Sequence, residues 1–277
     1  MTLMSREIRD HLGRPVVVAD RPQRIVSLCP SLTETLFALG LGGRIVGRTG
    51  YCVHPADAVA KVPVVGGTKL LSVDAIAALA PDLIIAAKEE NDRAQIESVM
   101  ERHTVFVIDV NDFDEALRAV RDLGEVTGAR EAAAALVKRI NLAFEDLLPL
   151  HPPMSAAYLI WGEPYMAAGR DTFIDAMLAR CGLRSVCAAM KERYPELSAE
   201  QITALAPQVL LLSTEPFPFT AAHVKEWRRR IPESEILLVD GEMFAWYGAR
   251  MIEAGPYLAA LARRLSLSSR GDADSSR

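Results

Sequence analysis

The chain has 277 residues, of which 50% are hydrophobic and 24% are charged. This length accommodates one large domain or two ordinary ones, and the composition excludes a disordered or fibrous protein. The formal net charge of −5 gives no electrostatic basis for nonspecific binding to nucleic acid phosphates, so nucleic acid is not an expected partner.

No targeting or membrane signal is recognisable in the sequence. Near its start only residues 16–19 form an apolar run, and the longest runs elsewhere, 83–87 and 209–212, are far shorter than the roughly 18 residues that span a bilayer. We therefore predict no transmembrane segment and a cytoplasmic protein, or a periplasmic protein if an export signal precedes this sequence in nature. The four cysteines, Cys29, Cys52, Cys181 and Cys187, show no paired spacing and are predicted to be free thiols.

Strands and helices alternate along the first part of the chain. Residues 24–29 are predicted as a buried strand, and Ser31 with Glu34 three residues later matches a capping box that opens a helix through Leu41. The further elements predicted in this part are a strand at 44–48, a helix at 72–80, a strand at 82–87, a helix at 92–102 and a strand at 104–109. The alternation resumes from Ala156 and is typical of an α/β fold.

A helical connector is predicted in the middle of the chain. Residues 111–148 carry apolar side chains at helical spacing, with a break near Gly128 that leaves 129–148 as one helix of about 30 Å. We predict that this helix is a stiff strut that limits how far two lobes can swing. The predicted domains are an N-terminal α/β lobe at 1–110, the helical connector at 111–150, a C-terminal α/β lobe at 151–265 and a disordered tail at 266–277.

An internal repeat without gaps supports the two-lobe organisation. Residues 72–89 align with residues 198–215, each position lying 126 residues before its counterpart. Each copy contains a capped helix, an Ala-Pro stop and an apolar strand. The repeat favours two similarly built α/β lobes; the alternative is that this pattern recurs by chance, because helix, turn and apolar strand are common in α/β proteins.

Several motifs resemble one known family. Residues 13–16, 22–27, 31–40 and 80–85 resemble motifs of the substrate-binding proteins of iron-siderophore and vitamin B12 ABC importers, and the resemblance extends over roughly residues 10 to 262. It implies a non-enzymatic solute-binding protein of α/β fold, with two Rossmann-like lobes joined by a long rigid backbone helix and a ligand cleft between the lobes. It also implies an ABC permease as partner.

The resemblance further implies two docking residues, since such receptors dock on the permease through one acid on each lobe. Asp74 and Glu200 hold the corresponding positions and are equivalent in the repeat. The alternative is structural, because an acid in the first turn of a helix stabilises it by up to about 1 kcal/mol without any partner.

The candidate ligand site follows from where α/β sheets bind ligands, which is beyond the carboxyl ends of their strands. The segments after the predicted strands are rich in aromatic side chains, which offer flat walls, and in cations, which bind carboxylate or phosphate groups. The predicted ligand-binding residues are Tyr51, His54, Lys69, Lys88, Glu89, Trp161, Tyr165, Arg193, Tyr194, Glu215, Phe217, Trp246, Tyr247 and Arg250. For Phe219 and Phe244 we prefer a packing role to a ligand-binding role. For Trp246 and Tyr247 both packing and ligand binding stay open.

This set of residues predicts a small ligand that is anionic and partly aromatic, or a metal chelate. A corrinoid is considered but is disfavoured, because residues 65–68 and 87–88 lack the tryptophans that the resemblance would place there. One alternative is a cytoplasmic carrier or sensor on the same fold. A second is a metal-dependent enzyme using His54, Glu89 and Glu215. The sequence contains no nucleotide or hydrolase motif, so no enzyme is predicted, and a monomer is expected.

Overall fold

The computed structural model describes residues 5–275, with side chains described up to residue 268. The chain divides into two compact units, each made of discontinuous segments. Unit 1 consists of the described residues up to Val110, Asp114–Asn141 and Tyr247–Arg250. Unit 2 consists of Asn111–Phe113, Leu142–Trp246 and the described residues from Met251 onward.

Unit 1 begins with an antiparallel hairpin that the sequence analysis missed. Strand β1 (Ser5–Arg9) pairs with β2 (Pro15–Ala19). Val16 and Val18 are buried whereas Val17 is 59% exposed, which is the alternation of a strand with one covered face. This period of two was the available signal for the hairpin.

A parallel sheet comes next in unit 1, in the order β4-β3-β5-β6. The inner strand β5 is buried at all five positions, as expected when both faces of a parallel sheet are covered. These four strands confirm the predicted ones, with ends that differ by one or two residues. The strands are β3 (Ile25–Ser27), β4 (Ile45–Arg48), β5 (Leu83–Ala87) and β6 (Val105–Ile108), and the helices up to the middle of the chain are α1 (Pro30–Ala38), α2 (Ala56–Val59), α3 (Val73–Ala78), α4 (Arg93–Met100), α5 (Phe113–Thr127) and α6 (Arg130–Ala143).

The start of α1 differs from the predicted capping box. The N-cap is Cys29, which makes no side-chain cap, and Pro30 occupies the first turn. Proline suits this position because its fixed φ fits the helix and its missing N–H has no partner there anyway. Ser31 and Glu34 therefore lie inside the helix, and α1 ends at Ala38 rather than at the predicted Leu41.

The predicted connector is divided into α5 and α6, and the break at Gly128 is confirmed. Gly128 has a φ of +71°, and a Cβ there would lie 2.8 Å from the carbonyl oxygen of Asp20, so glycine fits both requirements. The predicted continuation of the helix to Leu148 is wrong, since α6 ends at Ala143 after 14 residues. Leu147 and Leu150 are buried in the non-helical segment after the helix, which explains why apolar spacing continues beyond its end.

Unit 2 contains a mixed sheet with the path β10-β8-β7-β11-β12, and β9 pairs with the start of β7. The neighbours β7, β11 and β12 are parallel, whereas β8 and β10 are antiparallel additions. The strands are β7 (Met154–Trp161), β8 (Tyr165–Ala167), β9 (Leu183–Ser185), β10 (Glu196–Leu197), β11 (Val209–Ser213) and β12 (Glu235–Val239), and the helices are α7 (Phe173–Arg180), α8 (Ala199–Leu205), α9 (Ala221–Arg230), α10 (Glu242–Ala245) and α11 (Met251–Ser275).

Helix α11 extends into the segment for which the sequence predicts disorder. The helix continues through residue 275, and the remaining tail residues, 276 and 277, lie outside the described residues. Across the described part of the chain, no helix combines the length and the apolar character that crossing a membrane requires.

The sequence repeat corresponds to a structural repeat. Ser72 and Ser198 each cap the next helix by accepting a hydrogen bond from a backbone N–H three residues later. Ala80 and Ala206 have left-handed φ values of +43° and +44°, each directly before a proline. The strands that come next, β5 and β11, are each fully buried inner strands. The two units therefore contain the same helix–turn–strand module.

Candidate ligand-binding site

Exposed cations and one tyrosine come after the strands of unit 1. Tyr51 comes after β4 and is 64% exposed, and its ring lies 3.3 Å from the position of a Cβ on Gly67. Lys88 follows β5, and its Nζ lies 2.6 Å from Oδ2 of Asp109, which follows β6. The Nζ of Lys69 donates to the carbonyl oxygen of Glu89 at 2.7 Å. The structure thus places these predicted ligand residues along the carboxyl edge of one sheet.

Asn91, which the sequence analysis did not single out, organises this edge. Its Oδ1 accepts from the N–H of Ala87 at 2.8 Å, while its Nδ2 donates to the carbonyls of Leu28 and Thr68 at 2.9 and 3.1 Å. Asn91 is only 5% exposed. Its amide therefore ties the segment after β5 to the segments around residues 28 and 68.

Tyr247 and Glu90 form a second polar group in unit 1. Tyr247 is hydrogen-bonded to Ser31 and Cys29, and burial, followed by electrostatic interactions with Cys29 and Glu90, raises the pKa of its phenol well above the ordinary value. The pKa of the Glu90 carboxyl is also raised, first by desolvation, with Lys69 opposing the shift and Glu89 adding to it. Shifted groups of this kind often mark functional sites, and Glu90 was missed because its sequence context resembles a solvated helix start.

Arg250 is committed to a buried ion pair. Its Nη2 lies 2.7 Å from Oε1 of Glu34 and its Nε donates to Oε2 at 3.1 Å, which forms a two-pronged contact. Arg250 is 6% exposed, and the adjacent N–H of Ala249 donates to Oγ1 of Thr35 at 3.0 Å. These contacts fasten residues 247–250 onto α1, and the predicted role of Arg250 in ligand binding stays a prediction.

An aromatic cluster lies at the corresponding edge of unit 2. Trp161 ends β7, is 43% exposed, and meets Phe217 edge to face with 5.7 Å between ring centroids. Phe217 also contacts Phe219 at 4.7 Å and His223 at 5.8 Å. We call Trp161, Phe217, Phe219 and His223 the aromatic edge. Phe219 is 3% exposed, which confirms its predicted packing role, and His223 was missed because helix α9 brings it to the cluster from outside the segments that come directly after strands.

Tyr165 has a different set of neighbours. It packs against Trp227 with 5.1 Å between ring centroids, and it lines a cavity of about 420 Å³ together with Glu163, Glu196 and Leu197. Burial, and after it the nearby Glu226, raises the pKa of its phenol. The cavity also reaches Ser198, the N-cap of α8.

The remaining predicted residues of unit 2 are half-buried or buried. Arg193 donates through Nε to the carbonyl of Asp171 at 2.8 Å and through Nη2 to Oδ1 of Asn111 at 2.9 Å, and its guanidinium lies 5.8 Å from the ring centroid of Tyr194. Glu215 is half-buried beyond β11. Trp246 is 8% exposed, and its predicted contact with ligand stays a prediction. Phe244 is 0% exposed, which confirms its predicted packing role.

The metal-binding alternative receives no geometric support. His54 and Glu89 are half-buried in unit 1, and Glu215 belongs to unit 2. Within the described residues, no group of three or more His, Cys, Asp or Glu side chains is arranged to hold a metal ion.

All four cysteines are free and buried, which confirms the sequence prediction. Burial raises the pKa of Cys181 to about 12. Burial, with a smaller contribution from the charge of Glu90, raises the pKa of Cys29 to about 12. These two thiols therefore stay protonated at neutral pH, which is the opposite of the activated thiolate that a catalytic cysteine needs.

Parallel sheets that present aromatic and charged side chains beyond their carboxyl ends are typical of proteins that bind small molecules. A family model for periplasmic binding proteins matches residues 25–230, and the chain belongs to this family. The chain is therefore a binding protein rather than an enzyme, as predicted.

Individual relatives agree with this assignment. The chain is 28% identical over 267 residues to the uncharacterized ABC transporter substrate-binding lipoprotein YvrC of Bacillus subtilis, covering 91% of this chain and 83% of that protein. Among solved structures, the periplasmic vitamin B12 binding protein BtuF of Vibrio cholerae matches with a TM-score of 0.76 and 20% identity, over 87% of this chain and 97% of that one. The periplasmic heme-binding protein BhuT, in complex with two hemes, matches with a TM-score of 0.74 and 26% identity, over 88% and 97%.

These relatives correct one prediction. The sequence predicts a cytoplasmic protein, whereas the relatives are a lipoprotein and periplasmic proteins. The cytoplasmic prediction is wrong, and the cytoplasmic carrier or sensor is set aside with it. The predicted α/β fold of the binding-protein family is confirmed.

Proposed function

We propose that this chain is the substrate-binding protein of an ABC importer, acting outside the cytoplasmic membrane, and that its ligand is a flat metal-containing macrocycle with carboxylate side chains, of the heme type. The similarity to an ABC substrate-binding lipoprotein supports the transport role. The similarity to a heme-binding protein at 26% identity supports the ligand class.

The observation that carries this proposal is the exposed ring of Trp161. A large indole that is 43% exposed leaves apolar surface in water, and the rings of Phe217 and Phe219 behind it restrict its movement. A flat macrocycle can cover such a ring at little conformational cost. Tyr51 of unit 1 offers a second exposed ring, and its phenol oxygen is a known type of ligand for heme iron.

The charges of unit 1 favour heme over a corrinoid. Lys69 and Lys88 are exposed and can pair with carboxylates of a ligand. Lys88 follows β5, and Lys69 contacts Glu89 just beyond that strand. Lys88 already contacts Asp109 at 2.6 Å, so the ligand would share this cation with the protein. A corrinoid bearing amide side chains would gain less from these two ammonium groups.

The test uses the difference in exposure among the three tryptophans. Trp161 is exposed, whereas Trp227 and Trp246 are 0% and 8% exposed. We expect hemin to quench the tryptophan fluorescence of the wild type. Trp161→Phe should lose most of this quenching, while the absorbance of hemin still reports binding. Trp161→Ala should weaken binding at least tenfold, about 1.4 kcal/mol, because the covered ring is lost.

Leu148→Ala is the matched control, since Leu148 is an exposed apolar residue of the same unit that precedes the opposite end of β7. Its affinity for hemin should equal that of the wild type. Saturable binding of cobalamin without binding of hemin would change the ligand class to a corrinoid. Binding of neither compound would reject the macrocycle.

We also propose that Asp74 and Glu200 dock on the permease. Both acids are exposed in the first turn of equivalent capped helices, α3 and α8. A hydrogen bond with Ser198 lowers the pKa of the Glu200 carboxyl, so this group is charged at neutral pH. Exposed acids at equivalent positions suit recognition by basic groups of a partner.

Charge reversal tests the docking role. Asp74→Arg combined with Glu200→Arg should reduce uptake by vesicles that carry the permease at least tenfold, about 1.4 kcal/mol of binding free energy, while leaving the affinity for ligand unchanged. Asp57→Arg with Glu192→Arg is the control, because these exposed acids lie on the same two units. Unchanged uptake by the first pair, or equal loss by both pairs, would contradict docking through Asp74 and Glu200.

A further inference from the structure

A polar cavity of about 530 Å³ lies in unit 1, away from the proposed ligand residues of that unit. It lies where the end of the β1–β2 hairpin meets the junction of α5 and α6. Asp20 and Arg21 come shortly before β3, so the cavity is near the amino edge of the sheet, whereas Tyr51 and Lys88 come after strands at the carboxyl edge. The residues that line it are Arg6, Asp20, Arg21, Gly128 and Arg130.

The lining is predominantly cationic, with three arginines and one aspartate. Nη1 of Arg6 donates to Oδ1 of Asp20 at 3.2 Å, and Nη2 of Arg6 donates to the carbonyl of Glu125. Arg130 contacts both carboxylate oxygens of Glu125, and this hydrogen bonding is the main cause that lowers the pKa of the Glu125 carboxyl. Asp20 and Glu125 therefore hold two guanidinium groups in place.

Two guanidinium groups retain donors that the described residues do not satisfy. Arg21 is exposed, and its side chain makes no hydrogen bond or ion pair with any residue of the described part. Nε of Arg6 is buried without a hydrogen-bond partner, and its nearest carboxylate oxygen, on Glu125, is 3.6 Å away. A buried donor without an acceptor is unfavourable, so an acceptor-rich anion would stabilise this arrangement.

The junction of the helices adds to the positive potential. Arg130 is the first residue of α6, which has 14 residues, so the positive end of its dipole is at the cavity wall. Gly128 keeps the wall open, because a Cβ there would lie 3.1 Å from Cγ of Arg21. A side chain at residue 128 would therefore displace the guanidinium that has no partner.

We propose that this cavity is an anion site that binds a phosphate group, with Arg21 as the principal contact and Arg6 and Arg130 as supporting cations. Guanidinium groups match the geometry of phosphate oxygens by paired hydrogen bonds. The phosphate belongs either to a free phosphate compound or to a phospholipid headgroup, which share this chemistry. The site is independent of the proposed function, because none of its residues is among those proposed to bind the macrocycle or the permease.

Binding of inorganic phosphate by calorimetry, and cosedimentation with vesicles, test the site in the full-length chain. The variants are Arg21→Gln and the control Arg93→Gln, which removes the same charge from an exposed arginine of α4 in the same unit. Arg21→Gln should weaken phosphate binding about tenfold, because charge-assisted hydrogen bonds are lost, whereas Arg93→Gln should not change it. The vesicle arm compares phosphatidylglycerol with phosphatidylcholine.

Each outcome decides the proposal. Loss of saturable phosphate binding in Arg21→Gln alone supports the site with a free phosphate as ligand. Loss of binding to phosphatidylglycerol vesicles in the same variant, without phosphate binding by the wild type, supports it with a lipid headgroup as ligand. Absence of both interactions in the wild type, or equal loss in the two variants, overturns it. Hemin binding by Arg21→Gln should match the wild type in every case, which separates this test from that of the proposed function.

Discussion

The two copies of the helix–turn–strand module share a scaffold and differ in the residues directly after the strand. After β5 the chain continues as Lys88-Glu89-Glu90-Asn91, and after β11 as Thr214-Glu215-Pro216-Phe217. Asn91 and Phe217 each stand two residues beyond the end of the repeat, yet Asn91 bonds three backbone groups whereas Phe217 joins the aromatic edge. The module fixes the strand, and the residues after it decide whether the edge is polar or aromatic.

This difference predicts different consequences of substitution. The three hydrogen bonds of Asn91 in unit 1 are buried, and a buried polar network becomes unfavourable when one member is removed. The aromatic edge of unit 2 includes Trp161, which is 43% exposed, so its truncation creates no closed cavity. Substitution of Asn91 should therefore change the free energy of unfolding, whereas substitution of Trp161 should mainly change the affinity for ligand.

The largest effect on stability is expected for Arg250→Met. The exchange removes the buried Arg250 from the half-buried carboxylate of Glu34, and breaking such a pair lowers the free energy of unfolding by about 3–5 kcal/mol. Unfolding in denaturant measures this loss of stability. The double variant Glu34→Leu with Arg250→Met should lose less than Arg250→Met alone, because no buried charge remains. A loss below about 1 kcal/mol in the single variant would mean that the pair behaves like a surface salt bridge.

A smaller effect is expected for Asn91→Ala. Three buried backbone groups lose their partners, which lowers the free energy of unfolding by about 2 kcal/mol. Asn141→Ala is the control, since Asn141 is exposed near the end of α6 and should stay within about 0.5 kcal/mol of the wild type. Equal losses in the two variants would show that the hydrogen bonds of Asn91 do not stabilise unit 1.

The smallest effect concerns His11, which connects the β1–β2 hairpin to the rest of unit 1. Its Nε2 lies 3.0 Å from Oδ2 of Asp122 and its Nδ1 lies 2.9 Å from the carbonyl oxygen of Asp109. Burial alone would lower the pKa of His11 and Arg118 acts in the same direction, but these two hydrogen bonds and the charge of Asp122 together raise it above 6.5.

Because the folded-state pKa is raised, the stabilisation by His11 is complete below pH 6.5 and is lost as the pH rises through the folded-state value. Asp122→Asn should therefore be less stable than the wild type by about 1 kcal/mol below pH 6.5, with the difference shrinking as the pH increases. Unfolding curves across this range measure it. A difference that is independent of pH would show that the imidazole does not titrate in this contact.

Local patterns in the sequence predict most of the fold. The apolar runs of buried strands and the repeated Ala-Pro stop are local features, and the structure confirms both. The predicted capping box at Ser31 is wrong because Pro30 begins the helix and Glu34 is paired with Arg250, which is 216 positions away. A contact between residues so far apart in the sequence cannot be recognised from a short local stretch of sequence.

The candidate site was predictable in position but not in detail. Residues after the strands do lie at the carboxyl edges, as for Tyr51 and Lys88. Trp246 is buried whereas Trp161 is exposed, although both have the same side chain and both come after predicted strands. Asn91 and His223 were missed because their roles depend on which backbone groups and rings the fold brings next to them.

The segment Tyr247–Arg250 belongs to unit 1, although every other segment of that unit ends at or before Asn141. A ribosome therefore synthesises Glu34 long before it synthesises Arg250. Throughout most of translation the nascent chain contains a carboxylate whose buried cation does not yet exist, so unit 1 completes its structure only near the end of synthesis. A fragment ending at Asn141 is thus an incomplete folding unit, and experiments on isolated halves would begin without the contact between Glu34 and Arg250.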